Sequence, residues 1–439
     1  MFFFQNCSKA FEIEQATTIN SVESNPTLPA DTDSSDSTSR TPDVSNPITV
    51  ASADIEMVFP PPNGSTTDSH LIVRGQTKQG LDISQIEVNG ILATSSDQFR
   101  NWQVDVPLSM GTNILSVEAT VGGQIKTNLS MSSITRVTSE AELHRGVGSE
   151  WDMRPLGLAY EPTKKRFIIA VDGEDGIMGV NASNGDRSFI SDSEGSQIGT
   201  GYEIVQPTSG ASYGEKSFVI DNNLVVLIDN TTGNRSVFST VLTESNTPAS
   251  LASIVMTADT KNLIALSYMV DSVLYKMDTS TGSVSILSSK TKGSGIDLRN
   301  AGTMGYSSQL QTAFVSIRYS DVILAIDTVT GNRRIFSEGK NGEPKFQDPS
   351  YIVADDKNGL VYVWDSGKIH ALDIKTGRRR TIVSSGSFAS FNDIYGMTLT
   401  PYGPAILDYI PTYVVDRPQR GKTLMLVDPL IGTRIVISR

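Results

Sequence analysis

The chain is poor in the residues from which most metal and redox sites are built. Its 439 residues include one cysteine and three histidines. A single cysteine excludes an internal disulfide and a cysteine-based zinc site, and three histidines leave little room for a histidine-rich metal centre. No apolar run approaches the about 20 residues that a membrane-spanning helix needs, so the sequence predicts no such helix.

Charge is also scarce, and its balance is acidic. Charged residues are 19% of the chain, with 36 lysines and arginines against 48 aspartates and glutamates, which gives a net charge of −12. This balance argues against a sequence-independent grip on nucleic acid or on anionic lipid. The 36 glycines, together with many serines and threonines, favour an extracytoplasmic all-β protein with many turns.

The length predicts more than one folding unit, and shifts in composition divide the chain into three parts. Residues 1–53 are rich in Ser, Thr, Asp and Pro and have no apolar periodicity, which predicts a disordered acidic tether. Residues 54–137 show short alternating strands with turn signals between them. Residues 138–439 carry a tandem repeat.

Cys7 follows a short apolar patch and precedes the polar tether. This arrangement resembles the end of a bacterial lipoprotein signal, and the resemblance implies a lipid on Cys7 that anchors the chain to the cell envelope. The alternative is a plain flexible N-terminus with one exposed thiol.

Residues 54–137 predict a small β-sandwich. A hairpin around Asn89-Gly90 and the alternating stretch Trp102–Val106 contribute to about seven strands. The V-R-G, V-N-G, W-x-V-x-V-P-L and G-x-N-x-L-x-V strands resemble those of bacterial immunoglobulin-like domains. That resemblance implies a spacer, with carbohydrate or partner binding as the alternative. Because Trp102 alternates with Val104, we expect it in the core rather than on a sugar platform.

Residues 138–439 repeat one pattern six times: an apolar strand ending in Asp or Asn, a turn closed by glycine, and a second strand. The turn glycines are 48, 49, 49, 46 and 55 residues apart. Two further strands precede each turn, and four short strands in about 49 residues make one propeller blade. The sequence therefore predicts a six-bladed β-propeller with four-stranded blades. The six glycines are Gly185, Gly233, Gly282, Gly331, Gly377 and Gly432.

The repeated turn has a mechanical explanation. Glycine supplies a positive φ, and the acid accepts N–H groups of the turn. Arginines stand two residues after five of the glycines, and we expect them to pair with neighbouring acids or to protect the outer edge strand. The sixth blade is expected to close from its own strands or with a strand from Ser132–Thr138. The five arginines are Arg187, Arg235, Arg333, Arg379 and Arg434.

The strands that end in Asp and the D-x-x-T-G turns (Asp278 to Gly282, Asp373 to Gly377) resemble the six-bladed propellers of the NHL, TolB-like and senescence-marker/gluconolactonase superfamily. That fold carries lactonases, phosphotriesterases, lyases and binding scaffolds, so the resemblance implies fold more than activity. The gluconolactonase-like branch holds a central calcium with Glu, Asn and Asp. Its first-blade Glu-Gly-Pro motif is not matched here, and residues 149–155 are the nearest stretch.

The ends of the second strands are the candidate ligand site, because in a propeller they meet on one face around the channel. Four of the six are carboxylates, which are ligands that calcium prefers, so calcium is the candidate cofactor. Each carboxylate also has a purely structural interpretation as a turn cap. The six positions are Asp172, Asp221, Ser267, Arg318, Asp365 and Asp408.

Further candidates lie on the same rim. Arg154 is a candidate ligand contact, and the aromatic residues Tyr268, Trp364 and Tyr409 adjoin the ring, where each could stack on a sugar or pack inside a blade. His370 stands where other repeats have Met178 or Leu324, so we expect a packing role for it. The remaining rim candidates are Glu174, Asp175, Asp297, Arg299, Asp348, Asn392 and Asp393.

Two functions remain open at this point. The first is a non-catalytic binding or scaffold protein of a bacterial envelope, in the periplasm or on the outer-membrane surface. Its partner would be a small molecule, a glycan or an envelope protein, and not nucleic acid. The second is a calcium-assisted hydrolase, lactonase or lyase that acts on a sugar or ester in the channel. Convergence of the four carboxylates on one point would favour the second function.

Overall fold

The computed structural model describes residues 54–139, 142–143, 146–149, 154–172, 175–193, 197–268, 272–340, 342–383, 394–414 and 417–439. Within these ranges only the backbone is described for residue 154 and for residues 409–414 and 417–421. The predicted tether and Cys7 lie outside the described ranges. None of the described helical segments is long and apolar enough to cross a membrane.

The N-terminal part consists of two sheets. One has the strand order β1-β3-β6, and the other contains β2-β9-β7-β4-β5, with β8 on β7. Alternate residues of β6 are buried, as predicted, and Asn89 and Gly90 both have positive φ (51° and 78°), as a two-residue hairpin turn requires. The strands are β1 (Ile55–Phe59), β2 (Asn63–Thr66), β3 (His70–Thr77), β4 (Ile83–Val88), β5 (Ile91–Leu92), β6 (Asn101–Pro107), β7 (Gly111–Val121), β8 (Gln124–Lys126) and β9 (Met131–Arg136).

The rest of the described chain consists of four-stranded antiparallel units. Five of them are separate sheets in chain order, and the last four strands pair in the same way inside a larger sheet. The first three units are β10 (Arg154–Glu161), β11 (Arg166–Asp172), β12 (Gly176–Asn181), β13 (Arg187–Asp192); β14 (Pro207–Tyr213), β15 (Lys216–Asp221), β16 (Leu224–Asp229), β17 (Arg235–Thr240); and β18 (Leu251–Met256), β19 (Asn262–Ser267), β20 (Leu274–Asp278), β21 (Val284–Ser288).

The same arrangement continues to the end of the chain. The other three units are β22 (Ala301–Ser307), β23 (Thr312–Ile317), β24 (Val322–Asp327), β25 (Arg333–Glu338); β26 (Pro349–Asp355), β27 (Leu360–Asp365), β28 (Lys368–Asp373), β29 (Arg379–Val383); and β30 (Ile394–Thr400), β31 (Gly403–Val414), β32 (Arg417–Val427), β33 (Arg434–Ser438). The all-β prediction is confirmed, and the repeated four-stranded sheets fit a β-propeller.

The first strands of the units contact one another in sequence. The contacts run from β10 to β14, β18, β22, β26 and β30, and β30 returns to contact β10. Most side chains of the first and second strands are buried, for example throughout β18, so apolar burial between neighbouring units stabilises the array.

The Asp-to-Gly turns have the predicted geometry. In the fourth unit, Asp327 Oδ1 accepts the backbone N–H groups of Val329 and Thr330, both at 2.8 Å. Gly331 follows with a φ of 80°, and its N–H donates to the carbonyl of Asp327 at 2.8 Å. Glycine is needed here because other residues adopt positive φ at a cost. The equivalent acids Asp229, Asp278, Asp373 and Asp428 accept the same pair of turn N–H groups.

We expected the arginines that follow these turns to pair with neighbouring acids or to protect the outer edge strand. The structure shows a different role for four of them. Arg235 is buried, and its guanidinium donates to Ser191 Oγ at 2.7 Å and to the carbonyls of Ile198 and Tyr202. Ser191 lies in the preceding unit, so the arginine joins neighbouring sheets. Arg333 and Arg379 donate in the same way to Ser288 and Ser337, and Arg187 to Ser438 of the last unit. Arg379 also pairs with a neighbouring acid, Asp321.

The last unit uses only C-terminal strands, and the N-terminal sheet continues from it. Strand β2 pairs antiparallel with β33 at Ser65 and Val436, and β9 pairs parallel with β2. Met131–Arg136 therefore extends the sheet through β2 rather than pairing with β33 directly. The two parts of the chain share one ten-stranded sheet.

The second strand of the last unit is longer than predicted. It continues past Asp408 to Val414 and pairs with Arg417 onward in β32, which makes a long hairpin. Asp408 is therefore not a strand end. The 55-residue spacing before Gly432, against 46 to 49 elsewhere, was the sequence signal for this insertion.

Candidate functional site

The predicted ring positions occupy matching places in their sheets. Each is paired with a residue at or near the start of its first strand: Arg154 with Asp172, Pro207 with Asp221, Leu251 with Ser267, Pro349 with Asp365, and Ile394 with Asp408. In the fourth unit β23 ends at Ile317, one residue before Arg318. We call this end of the sheets the second-strand face.

Asp221 is turned into its own sheet's loop. Its side chain is completely buried. Oδ1 accepts the backbone N–H of Gln206 at 2.7 Å, and Oδ2 accepts that of Val205 at 3.1 Å. Both residues belong to the segment that leads into β14. The carboxylate therefore fixes a loop, because it satisfies two backbone donors that have no strand partner.

Asp365 has the same role in the fifth unit. Its oxygens accept the backbone N–H groups of Gln347 and Asp348 at 2.7 to 3.0 Å, just before β26. Nε2 of His370 lies 4.0 Å from Oδ2, and both side chains are buried. Burial is the main cause of the two shifts, which raise the pKa of Asp365 and lower the pKa of His370 to about 4. His370 packs edge-on against Phe346, in the predicted packing position.

The other ring positions differ from one another. Ser267 Oγ accepts the N–H of Val273 at 2.8 Å, which holds its own hairpin. Arg318 lies 3.8 Å from Asp348 and donates to the hydroxyl of the exposed Tyr319 at 3.0 Å. Asp172 is half-buried and Asp408 is buried.

The aromatic candidates also differ. Tyr268 is exposed, whereas Trp364 is half-buried and packs edge-on against Tyr351, with ring centroids 5.9 Å apart. The side chains of Arg154 and Tyr409 are not described. Asp175, Asp297 and Arg299 are described, and Arg299 pairs with Asp297 at 2.8 Å. Glu174, Asn392 and Asp393 lie outside the described residues.

The described residues of this face do not fit a calcium site. Asp221 and Asp365 already use their oxygens to accept backbone N–H groups, so those lone pairs point at their own loops. Among the residues that the structure describes, no group of three or more His, Cys, Asp or Glu is placed to hold a metal ion. Two carboxylates of the second-strand face, Asp221 and Asp365, therefore anchor loops.

A different site lies at the opposite end of the sheets, and sequence analysis missed it. A cleft of about 640 Å³ separates the N-terminal sheets from the turns of the fifth and sixth units. The N-terminal side contributes parts of β1, β3 and β6 and the loop after β5. The other side contributes the β26–β27, β30–β31 and β32–β33 turns. We call it the interdomain cleft.

The walls of the cleft are fixed by specific contacts. Nη1 of Arg74 in β3 donates to Oδ2 of Asp428 at 2.7 Å, and the Asp428 side chain is fully buried. The guanidinium also lies over the ring of Phe59, 5.0 Å from its centroid. Arg380 donates to the carbonyls of Pro429 and Leu430 and so holds the β32–β33 turn.

The floor of the cleft contains Tyr402, which is half-buried. Trp102 and Tyr362 adjoin the cleft, but their side chains are buried. Trp102 alternates in β6 with the exposed Asn101 and Gln103, so its indole faces the core of the N-terminal sheets. The indole of Trp102 lies against the backbone of Gly75, where a Cβ would stand 1.9 Å from its Cζ2, so only glycine fits. The Trp102 Nε1 is buried and has no hydrogen-bond partner among the described residues. Trp102 is in the core as predicted, but its polar atom is unsatisfied.

Comparison with known proteins gives fold-level likeness only. No protein-family model matches the chain, and no curated protein matches it. Three solved structures illustrate the likeness that exists.

An auxiliary nutrient binding protein from Bacteroides thetaiotaomicron is 10% identical, with a TM-score of 0.45, over 87% of this chain and 97% of that one. A protein of unknown function from the same organism is 12% identical, with a TM-score of 0.45, over 90% and 98%. The calcium-binding protein regucalcin from Agrobacterium tumefaciens is 14% identical, with a TM-score of 0.46, over 67% and 95%. Likeness at this level carries no argument about ligand or activity.

Proposed function

We propose that this chain is an extracytoplasmic binding protein in which a six-bladed β-propeller, residues 138–439, is held rigidly on an immunoglobulin-like sandwich, residues 54–137. Six consecutive four-stranded units and the chain of first-strand contacts from β10 back to β10 support the blade count. Continuous pairing through β33 and β2 supports a fixed relation between the two domains.

One observation favours binding over catalysis. Asp221 and Asp365 are buried carboxylates of the predicted catalytic or calcium-binding ring. Both are hydrogen-bonded to the backbone of their own loops. A general acid, base or metal ligand needs an oxygen directed at the substrate or the ion. These oxygens are directed at N–H groups of the protein.

The test is a thermal melt of the full chain with calcium and with excess chelator, next to lactone and ester hydrolysis assays under both conditions. We expect no hydrolysis and the same midpoint in both. A ligand that binds only the folded state raises the free energy of unfolding by about 2.7 kcal/mol when its concentration is a hundred times its Kd. A calcium-dependent rise that disappears in an Asp221→Asn/Asp365→Asn variant would overturn the proposal.

The extracytoplasmic location rests on the acidic tail and on Cys7. In a bacterial host that processes lipoproteins, we expect the full chain in the membrane fraction and the Cys7→Ser variant in the soluble fraction. Equal membrane retention of the two chains would contradict lipidation at Cys7.

A further inference from the structure

We propose that the interdomain cleft binds a neutral carbohydrate, a short oligosaccharide whose hydroxyls contact the cleft walls and whose apolar face rests on its floor. This inference deepens the proposed binding function and rests on it, because it names the site and the ligand class. The cleft volume of about 640 Å³ lies within the range of small-molecule sites, about 300–1,000 Å³, and such sites often form at domain interfaces.

The cleft has little charge with which to bind an ionic ligand. Among its lining residues the one permanent charge is Arg74, which is already paired with the buried Asp428. An anion or cation that entered would lose hydration without gaining an opposite charge, and that transfer is costly. The electrostatics therefore favour an uncharged ligand.

The hydrogen-bonding groups of the walls exclude a purely apolar ligand. The lining includes the amides of Gln76, Asn101, Gln103 and Asn358 and three neighbouring hydroxyls, of which Ser96 is one. An amide offers both donors and an acceptor, and a hydroxyl offers both. Some of this capacity is used within the protein, because Gln76 Nε2 donates to Asn101 Oδ1 and Asn358 Nδ2 to Asp355 Oδ2. An apolar ligand would cover the remaining donors and acceptors without replacing their hydrogen bonds to water. Dense neutral donors and acceptors match a polyhydroxylated molecule.

The floor supplies the complementary surface. Tyr402 is half-buried and presents aromatic carbon to the cleft, and the C–H face of a sugar ring can pack on such carbon. Pro401 and Leu430, both exposed, add apolar carbon to the same cleft.

The cleft is also preorganised. Arg74–Asp428 and the β2–β33 pairing hold the two walls in place, so little conformational entropy is lost when a ligand binds. Binding should therefore not require closure of the two domains.

The experiment is binding of cellotriose, maltotriose, xylotriose and triacetylchitotriose to the full chain in chelator, followed by calorimetry. At least one neutral trisaccharide should bind at micromolar to millimolar concentration. Tyr402→Ala removes the aromatic ring of the floor, and Gln103→Ala removes an exposed wall amide. Each should weaken binding about tenfold or more, which corresponds to about 1.4 kcal/mol.

Gln124→Ala is the matched control, because Gln124 is exposed on β8 and does not line the cleft. It should bind as the wild type does. Circular dichroism checks that each variant is folded. Tighter binding of the acidic trisaccharide of galacturonate, unaltered binding in both cleft variants, or no binding of any trisaccharide would each overturn the inference.

The two proposals fail separately. Calcium-dependent hydrolysis sensitive to Asp221 and Asp365 would refute the proposed function even if the cleft still bound a sugar in chelator. Lack of trisaccharide binding would refute the cleft assignment and leave the absence of hydrolysis unchanged.

Discussion

The two ends of the four-stranded sheets use buried carboxylates differently. On the second-strand face, Asp221 and Asp365 accept backbone N–H groups of the loops that lead into their own sheets. On the opposite face, Asp428 caps its turn and also pairs with Arg74 of the N-terminal domain. At the second-strand face the carboxylates stabilise loops of their own sheets. At the opposite face, Asp428 joins the sixth unit to the N-terminal sheets beside the cleft.

The repeat makes this comparison informative. Asp229, Asp327 and Asp373 occupy the same turn position as Asp428, and all three are exposed. The turn acid is thus a structural element in five of the six units, and the first unit has Asn181 in its place. Among the described turn acids, Asp428 adds an ion pair with a residue outside its own turn, so this departure from the repeat marks the contact with the N-terminal sheets.

The largest effect should follow from removal of the interdomain ion pair. Arg74→Met leaves the fully buried side chain of Asp428 without its cation, and breaking a buried pair costs about 3 kcal/mol or more. We expect the free energy of unfolding, measured by urea denaturation, to fall by that amount. Oligosaccharide binding to the cleft should weaken as well, since one wall moves.

Lys78→Met is the control for this variant. Lys78 pairs with Asp54 at 3.4 Å, but its side chain is 73% exposed, and exposed pairs contribute about 0–1 kcal/mol. If the two variants unfolded at the same urea concentration, the contrast between the two faces would be wrong.

The next effect concerns the second-strand face. Asp221→Ala leaves the N–H groups of Val205 and Gln206 without their acceptor, and an unsatisfied buried donor costs about 1–3 kcal/mol. We expect a loss of about 2 kcal/mol in thermal or chemical unfolding and unchanged binding at the cleft. Asp221→Asn keeps one acceptor oxygen and should lose less. Loss of binding without loss of stability would show instead that Asp221 contacts ligand.

Much of the fold could be predicted from local signals. The spacing of Gly233, Gly282 and Gly331 identified the turns, because positive φ and an acid that caps N–H groups are requirements of a few adjacent residues. The strand endings at Asp221 and Asp365 were found for the same reason. The direction in which those carboxylates point could not be predicted, because it depends on where the loops before β14 and β26 lie in the folded structure.

The cleft could not be predicted because its parts are distant in sequence. Gln103 and Tyr402 lie on opposite sides of the cleft because β2 pairs with β33, and neither strand carries a signal for that pairing. The arginine contacts were missed for a related reason. Arg235 looked like a surface residue on an edge strand, yet it reaches Ser191 and buried carbonyls of the preceding sheet.

A third effect depends on pH and involves His370, which lies next to Asp365 at the second-strand face. The folded protein keeps His370 neutral down to a pKa of about 4, against 6.5 ordinarily. Between these values the unfolded chain binds more protons, so the free energy of unfolding falls as the pH falls from 6.5 towards 4. Above pH 6.5 the histidine contributes nothing. At pH 5 the loss is about 2 kcal/mol.

His370→Met places at this site the residue found at Met178 and Met425, and it should narrow the difference in unfolding free energy between pH 7.5 and pH 5. The raised pKa of Asp365 makes the folded state bind protons more readily and so opposes the effect of His370. Lys368 and Arg379 lower the pKa of His370 further, whereas Asp321 raises it. They are present in both proteins, so the difference between wild type and variant isolates His370. An identical acid sensitivity in the two would contradict neutral burial.

The smallest effect tests the repeated turn itself. Asp327→Ala removes the acceptor for Val329 and Thr330, but the turn is exposed and water can replace the carboxylate. We expect a loss of about 1 kcal/mol in the free energy of unfolding, as for an exposed cap. Hydrogen bonds from these N–H groups hold the pKa of Asp327 below its ordinary value, so this stabilisation should be lost at acidic pH, below about 4, in the wild type. A cost as large as that of Arg74→Met would mean that turn acids, and not the added ion pair, stabilise the face that carries the cleft.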